Sequence, residues 1–262
     1  MKPKDILFFG LFICLAALML LIIYLDEPKK DFVIITVDTE HIYYFERDTH
    51  IKVMFYVNDP HSPFYEKDYY EQVILKDASE TIILDVELDD VIKNHEEAYL
   101  NQTYTQVVLY ITMPYVASNL FIENLEIDIT LSSGLSVSLP LGKLSIGYEP
   151  GVTLETLDWR GLYGFKSETK VTPRIHTVHV TYHELSKEIK EIEIGHLENI
   201  TFHHQSGELI ITIPYDDALL YEFPIKIMYT DDDIDIIDRF LYMKNYQILV
   251  ESGPLLYVTP LN

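Results

Sequence analysis

Leu-Glu-Ile-Asp-Ile-Thr-Leu-Ser-Ser-Gly-Leu-Ser-Val-Ser-Leu-Pro-Leu, residues 125–141, decides the fold class. Leu125, Ile127, Ile129 and Leu131 alternate with Glu126, Asp128 and Thr130, and Leu135, Val137, Leu139 and Leu141 alternate with Ser136, Ser138 and Pro140. A period of two puts every apolar residue on one face of a strand, whereas a helix would scatter them around its circumference. Ser132-Ser133-Gly134 supplies the turn, with glycine free to take a positive φ. The reading is an antiparallel hairpin with one face on a core and the other in water.

The same period recurs on both sides. Phe32–Asp38, Ile51–Val57, Gln72–Leu75, Thr81–Leu88 and Thr105–Met113 precede the hairpin as expected strands, rich in β-branched and aromatic residues and bounded by Asp, Asn and Pro. Thr177–Tyr182, Ile189–Ile194, Ile200–His204, Glu208–Ile213 and Phe223–Tyr229 follow it. Between the two sets, Pro150, Gly151, Gly161, Gly164 and Pro173 interrupt the pattern, so 149–173 is expected to be a connecting segment. Gln205-Ser206-Gly207 repeats the turn of the first hairpin 73 residues later, which suggests two copies of one β-unit. Asp231–Tyr242 is open to a helix capped by aspartates or to a strand, and Gln247–Val250 is expected to be a last strand.

The fold class expected is therefore all-β, an N-terminal transmembrane helix followed by an antiparallel β-sandwich of Ig-like architecture, as one body or as two tandem sandwiches over 32–148 and 174–262. The helix is Ile6–Leu25, twenty residues without a charge, flanked by Lys2, Lys4 and Asp5 and by Asp26, Glu27, Lys29, Lys30 and Asp31. At about 1.5 Å per residue it is roughly 30 Å long, the thickness of a hydrocarbon core. A cleaved secretory signal has a shorter apolar region and a small-residue cleavage site, neither of which is found here, and Ile13 before Cys14 does not suit a lipoprotein signal. Residues 1–5 are expected to be a cytoplasmic tail and 26–31 a linker in which Pro28 stops the helix. The C-terminal part then lies outside the cell membrane.

The chain carries a net charge of −23, with 42 acidic against 19 basic residues. Such a surface repels phosphate backbones, so nucleic acid is excluded as a partner. Cys14 is the sole cysteine, so the part beyond the anchor can hold no disulfide, thiolate nucleophile or cysteine-ligated metal. Stability must come from apolar burial.

Catalytic patterns fail one by one. His183-Glu184 opens an HExxH motif, but Lys187 stands where the second histidine belongs, and the segment reads as strand. His179 and His183 would lie about 13 Å apart at roughly 3.3 Å per residue, too far for one metal. Ser167-Glu168-Thr169-Lys170 matches SxxK without its SDN and KTG companions. Asp231, Asp232, Asp233 and Asp235 are the candidate cation ligands, for Ca²⁺, although the glycine and spacing of an EF-hand are missing. Twenty tyrosines, in clusters such as Tyr43-Tyr44-Phe45, Phe64-Tyr65 and Tyr69-Tyr70, offer a platform for a protein or glycan partner. The reading is a non-enzymatic binding or scaffold module at the cell surface. A membrane-tethered envelope hydrolase with an acid pair, and an accessory subunit of a membrane transport or secretion complex, are the alternatives.

Overall fold

A computed structural model describes residues 32–45, 50–148, 157–167, 174–214, 218–242 and 247–261, with the backbone alone at Glu184. Val33–Pro260 forms one compact unit. The expected anchor Ile6–Leu25, the tail and the linker lie outside the described residues. Among the described residues no helix is long and apolar enough to cross a membrane.

The described residues are nearly all β. In chain order the strands are β1 (Phe32–Val37), β2 (Thr39–Tyr44), β3 (His50–Val57), β4 (Tyr70–Asp77), β5 (Ile83–Asp85), β6 (Leu88–Tyr99), β7 (Gln102–Thr112), β8 (Leu120–Leu131) and β9 (Ser136–Gly147). Then come β10 (Leu157–Lys166), β11 (Ile175–Leu185), β12 (Ile189–Glu193), β13 (Thr201–Gln205), β14 (Glu208–Thr212), β15 (Glu222–Tyr229) and β16 (Ile234–Leu241). A short helix, α1 (Ile248–Ser252), precedes the last strand, β17 (Leu256–Leu261). Four sheets result, ordered β17-β1-β3-β7-β6, β2-β9-β8-β4-β5, β10-β11-β14-β13 and β12-β15-β16.

The 125–141 hairpin forms as its pattern demands. β8 and β9 pair antiparallel with Ile127 opposite Leu139 and Ile129 opposite Val137. Leu125, Ile127, Ile129, Leu131, Leu139 and Leu141 are buried, while Gly134 turns at φ 85°. β2 then adds to β9 in parallel, from Thr39 opposite Gly142 to Tyr44 opposite Gly147. Gly142 has φ 108°, and a Cβ there would lie 2.5 Å from the Thr39 backbone. Only glycine lets β2 approach so closely.

Among the described residues, strand pairing on either side of residues 149–156 stays on its own side, except that β17 returns to β1 and an isolated bridge joins Thr39 of β2 to Leu219. The sheets containing β11 and β15 share one apolar cluster, in which Val178, Val180, Leu209 and Ile211 meet Phe223, Ile227 and Ile237. Two sheets burying their inner faces against each other make a sandwich.

Several local expectations change. The 149–173 stretch holds a ten-residue strand, β10, paired along its length with β11. Thr81–Leu88 resolves into the short β5 and the start of β6, a charged edge strand with little pattern to read. Asp231–Tyr242 is a turn followed by β16, and of Gln247–Val250 the first residue caps α1 while Ile248–Val250 lie within it. The Gly207 turn does repeat the Gly134 turn, at φ 82°. The two hairpins occupy different places, however, since β8 and β9 lie inside their sheet while β13 is an edge.

Candidate functional site

Leu219 ties the two strand sets together. Its N–H donates to the Asp38 carbonyl at 2.7 Å, and its own carbonyl accepts from Glu40 N at 3.0 Å, making a parallel bridge from the segment before β15 to β2. α1 closes over this junction from the opposite end of the chain. The helix is pinned by Glu97, a buried residue of β6, whose carboxylate accepts the Leu249 N–H at 2.9 Å and the Tyr56 hydroxyl at 2.9 Å, with His95 Nε2 at 3.1 Å. Burial and the neighbouring Glu97 charge push the Tyr56 phenol far above its ordinary pKa, so it serves as a fixed donor.

Between these elements lies a partly open cavity of about 60 Å³. Ile175, Leu197, Ile213, Ala218, Leu220 and Ile248 give it apolar walls. Its polar lining is ionic. Lys166 pairs with Glu251 across the wall. Glu40, 2 % exposed, accepts from the Ser145 hydroxyl at 3.3 Å and lies 3.9 Å from Lys143 Nζ. Arg174 is 6 % exposed, and its Nε has no hydrogen-bond partner among the described residues. Ser252 is fully buried, and its Oγ likewise has none. An apolar pocket with a few convergent polar groups is the usual form of a small-molecule site.

A second surface lies on the outer face of β10-β11-β14-β13. Phe165 and Tyr163 project beside His179, with ring centroids 4.8 and 5.0 Å from the imidazole. The Tyr163 hydroxyl donates to the Glu208 carboxylate, and His179 Nδ1 lies 3.2 Å from the same group. Desolvation, then the charge of His203, lowers the His179 pKa. Trp159, Tyr163 and Phe165 remain exposed.

The candidate cation ligands do not converge. Lys187 Nζ lies 2.7 Å from Asp231 and also pairs with Asp233, while Asp232 faces Lys190 at 3.3 Å. Asp235 turns inward and accepts from Leu157 N at 2.8 Å and the Tyr229 hydroxyl at 2.7 Å, where it joins β10 to the β15-β16 pair. Among the described residues no group of three or more His, Cys, Asp or Glu is placed to hold a metal ion. The tyrosine clusters are mostly structural. Phe64 and Tyr44 are buried, Phe64 meets Phe55 edge to face with ring centroids 5.8 Å apart, and the Tyr70 hydroxyl donates to the Phe64 carbonyl. Tyr69 is exposed, as are Phe32, Tyr115, Phe121 and Tyr257, and three further exposed rings, Trp159, Tyr163 and Phe165, share β10, inside the stretch whose strand pattern glycines obscure. His183 lies on strand β11, and residues 168–170 of the SxxK match lie outside the described residues. Arg174 and Ser252 carry no motif, because burial without a partner is what marks them.

No protein-family model and no curated protein matches the chain. Among solved structures, the sialic acid binding region of a Streptococcus sanguinis SK1 adhesin matches at 11 % identity and TM-score 0.22, over 80 % of this chain and 77 % of that one. The D00-D0 domain of intimin matches at 12 % identity and TM-score 0.21, over 81 % and 100 %. The Bacteroides ovatus glucan-locus protein SGBP-B matches at 12 % identity and TM-score 0.20, over 79 % and 44 %. At these TM-scores the likenesses carry no functional assignment.

Proposed function

We propose that this chain is a non-enzymatic binding protein, held at the cell membrane by Ile6–Leu25 with its N terminus inside and two tandem β-sandwiches outside. The cavity at their junction is its ligand seat. One observation carries this reading: the apolar walls enclose polar groups left without partners, an arrangement that costs free energy unless something fills it. The acids in the lining are engaged by Lys166 and by Ser145 and Lys143, which suits binding rather than acid–base turnover.

The test is to purify the full-length protein from its own membranes into lipid nanodiscs and identify extracted small molecules by mass spectrometry. A near-stoichiometric compound in the wild type, depleted in a cavity-filling Ala218→Leu variant of unchanged circular dichroism, is the expected result. Equal recovery from both proteins would refute the seat.

A second contact is supported by the β10-β11-β14-β13 face, where exposed aromatic rings beside a carboxylate suit a protein or glycan partner. Tyr163→Ala with Phe165→Ala should abolish glycan-array or pull-down signals given by the wild type. Unchanged signals would show that this face makes no such contact.

A further inference from the structure

Arg174 immediately precedes β11, and its carbonyl accepts the Ser167 N–H at 2.9 Å, so its backbone is fixed at the cavity wall. No ion pair of Arg174 is found among the described residues, whereas the other cation of the lining, Lys166, already has Glu251. A guanidinium removed from water needs an anion. Ser252, on the same lining, adds a buried hydroxyl without a partner. A guanidinium can only donate, and a hydroxyl can donate, so one acceptor group satisfies both.

We propose that the junction cavity receives a monoanion with an apolar body, its carboxylate seated on the Arg174 guanidinium and the Ser252 hydroxyl. This rests on the cavity being the ligand seat. The planar fork of arginine matches a carboxylate in two parallel hydrogen bonds. Ile175, Leu197, Ile213 and Leu220 take the apolar part out of water. A dianion such as a phosphate monoester brings twice the charge into a lining that already holds Glu40 and Glu251, and only one guanidinium waits to offset it. A cationic ligand meets the opposite difficulty, since both of those carboxylates already have partners.

The experiment is calorimetric titration of the full-length protein in nanodiscs with sodium hexanoate, against empty discs, with hexan-1-ol, hexylammonium and inorganic phosphate as parallel probes. Hexanoate should bind saturably at one site per chain and tighter than the other three. Arg174→Leu should weaken it about tenfold or more and Arg174→Lys less, while Ser252→Ala should weaken it about threefold. Hexanoate binding no tighter than hexanol, or unaffected by Arg174→Leu, would overturn the anion while leaving the seat intact. Binding of none of the probes, together with no retained compound in the wild type, would overturn the seat as well. Asp216 and Asp217 adjoin the cavity-lining Ala218 in sequence. A large gain in hexanoate affinity in the Asp216→Asn, Asp217→Asn variant would show that the chain's own carboxylate occupies Arg174, and would overturn the proposal.

Discussion

His41 should make the protein acid-sensitive over a defined window. It lies in β2, 6 % exposed, and burial pushes its pKa down from 6.5 to about 4, against a smaller opposing effect from its hydrogen bond to the Leu141 carbonyl. Below pH 6.5 the unfolded chain therefore takes up a proton that the folded chain refuses until about pH 4. Stability must fall as pH falls through this window and level off, for this group, beneath it. Each pKa unit is worth about 1.4 kcal/mol, so a shift of this size costs roughly 3 kcal/mol. His41→Asn keeps a donor for the Leu141 carbonyl but cannot titrate. Urea unfolding followed by far-ultraviolet circular dichroism, for both proteins between about pH 7.5 and about pH 4, isolates the effect, because titration of the carboxylates is common to both. The gap between wild type and variant should move by roughly 3 kcal/mol in favour of the variant on acidification. Parallel curves would refute the assignment of a buried neutral imidazole.

Other outcomes rest on named contacts. Gly142→Ala places a Cβ 2.5 Å from Thr39 backbone atoms at φ 108°, and should destabilise by roughly 3 kcal/mol or more in the same unfolding assay. Asp235→Ala strands the Leu157 N–H and the Tyr229 hydroxyl, and should cost about 2–4 kcal/mol. Ile129→Ala empties a fully buried site and should cost about 2–5 kcal/mol. Protease added to intact cells should remove a C-terminal epitope tag, and protection of the tag until lysis would contradict the proposed orientation.

The fold was legible wherever one sheet face meets water. The 125–141 hairpin alternates because β8 and β9 are half-solvated, and its Gly134 turn shows in the residue alone. β2 hides because Thr39, Glu40 and His41 are all buried, so its stability depends on partners distant in sequence, such as Ser145 for Glu40. β10 hides behind Gly161 and Gly164, the latter packed close to Ile175, Phe240 and Tyr242. β16 imitates a helix for a specific reason. Between Phe223↔Phe240 and Ile225↔Ile237 the strand carries an extra residue, and this bulge turns a period of two into a spacing of three. Of the site, the sequence shows the residue types but not their isolation. Arg174 is one arginine among others until burial leaves its Nε without water or, among the described residues, a partner, in a cavity that Ile248, Glu251 and Ser252 of α1 also line. The aspartates at 231–233 stand out in sequence, yet Lys187 and Lys190 reach them only once β12 pairs with β15.

The most direct test of the ligand seat is the stability of ligand-free Arg174→Leu. If the guanidinium waits unpaired in the cavity, replacing it with an apolar side chain should raise unfolding stability by about 1–3 kcal/mol in anion-free buffer. A loss of about 3 kcal/mol or more, as when one member of a buried ion pair is removed, would show that Arg174 is already satisfied and that the cavity holds no vacancy for an anion.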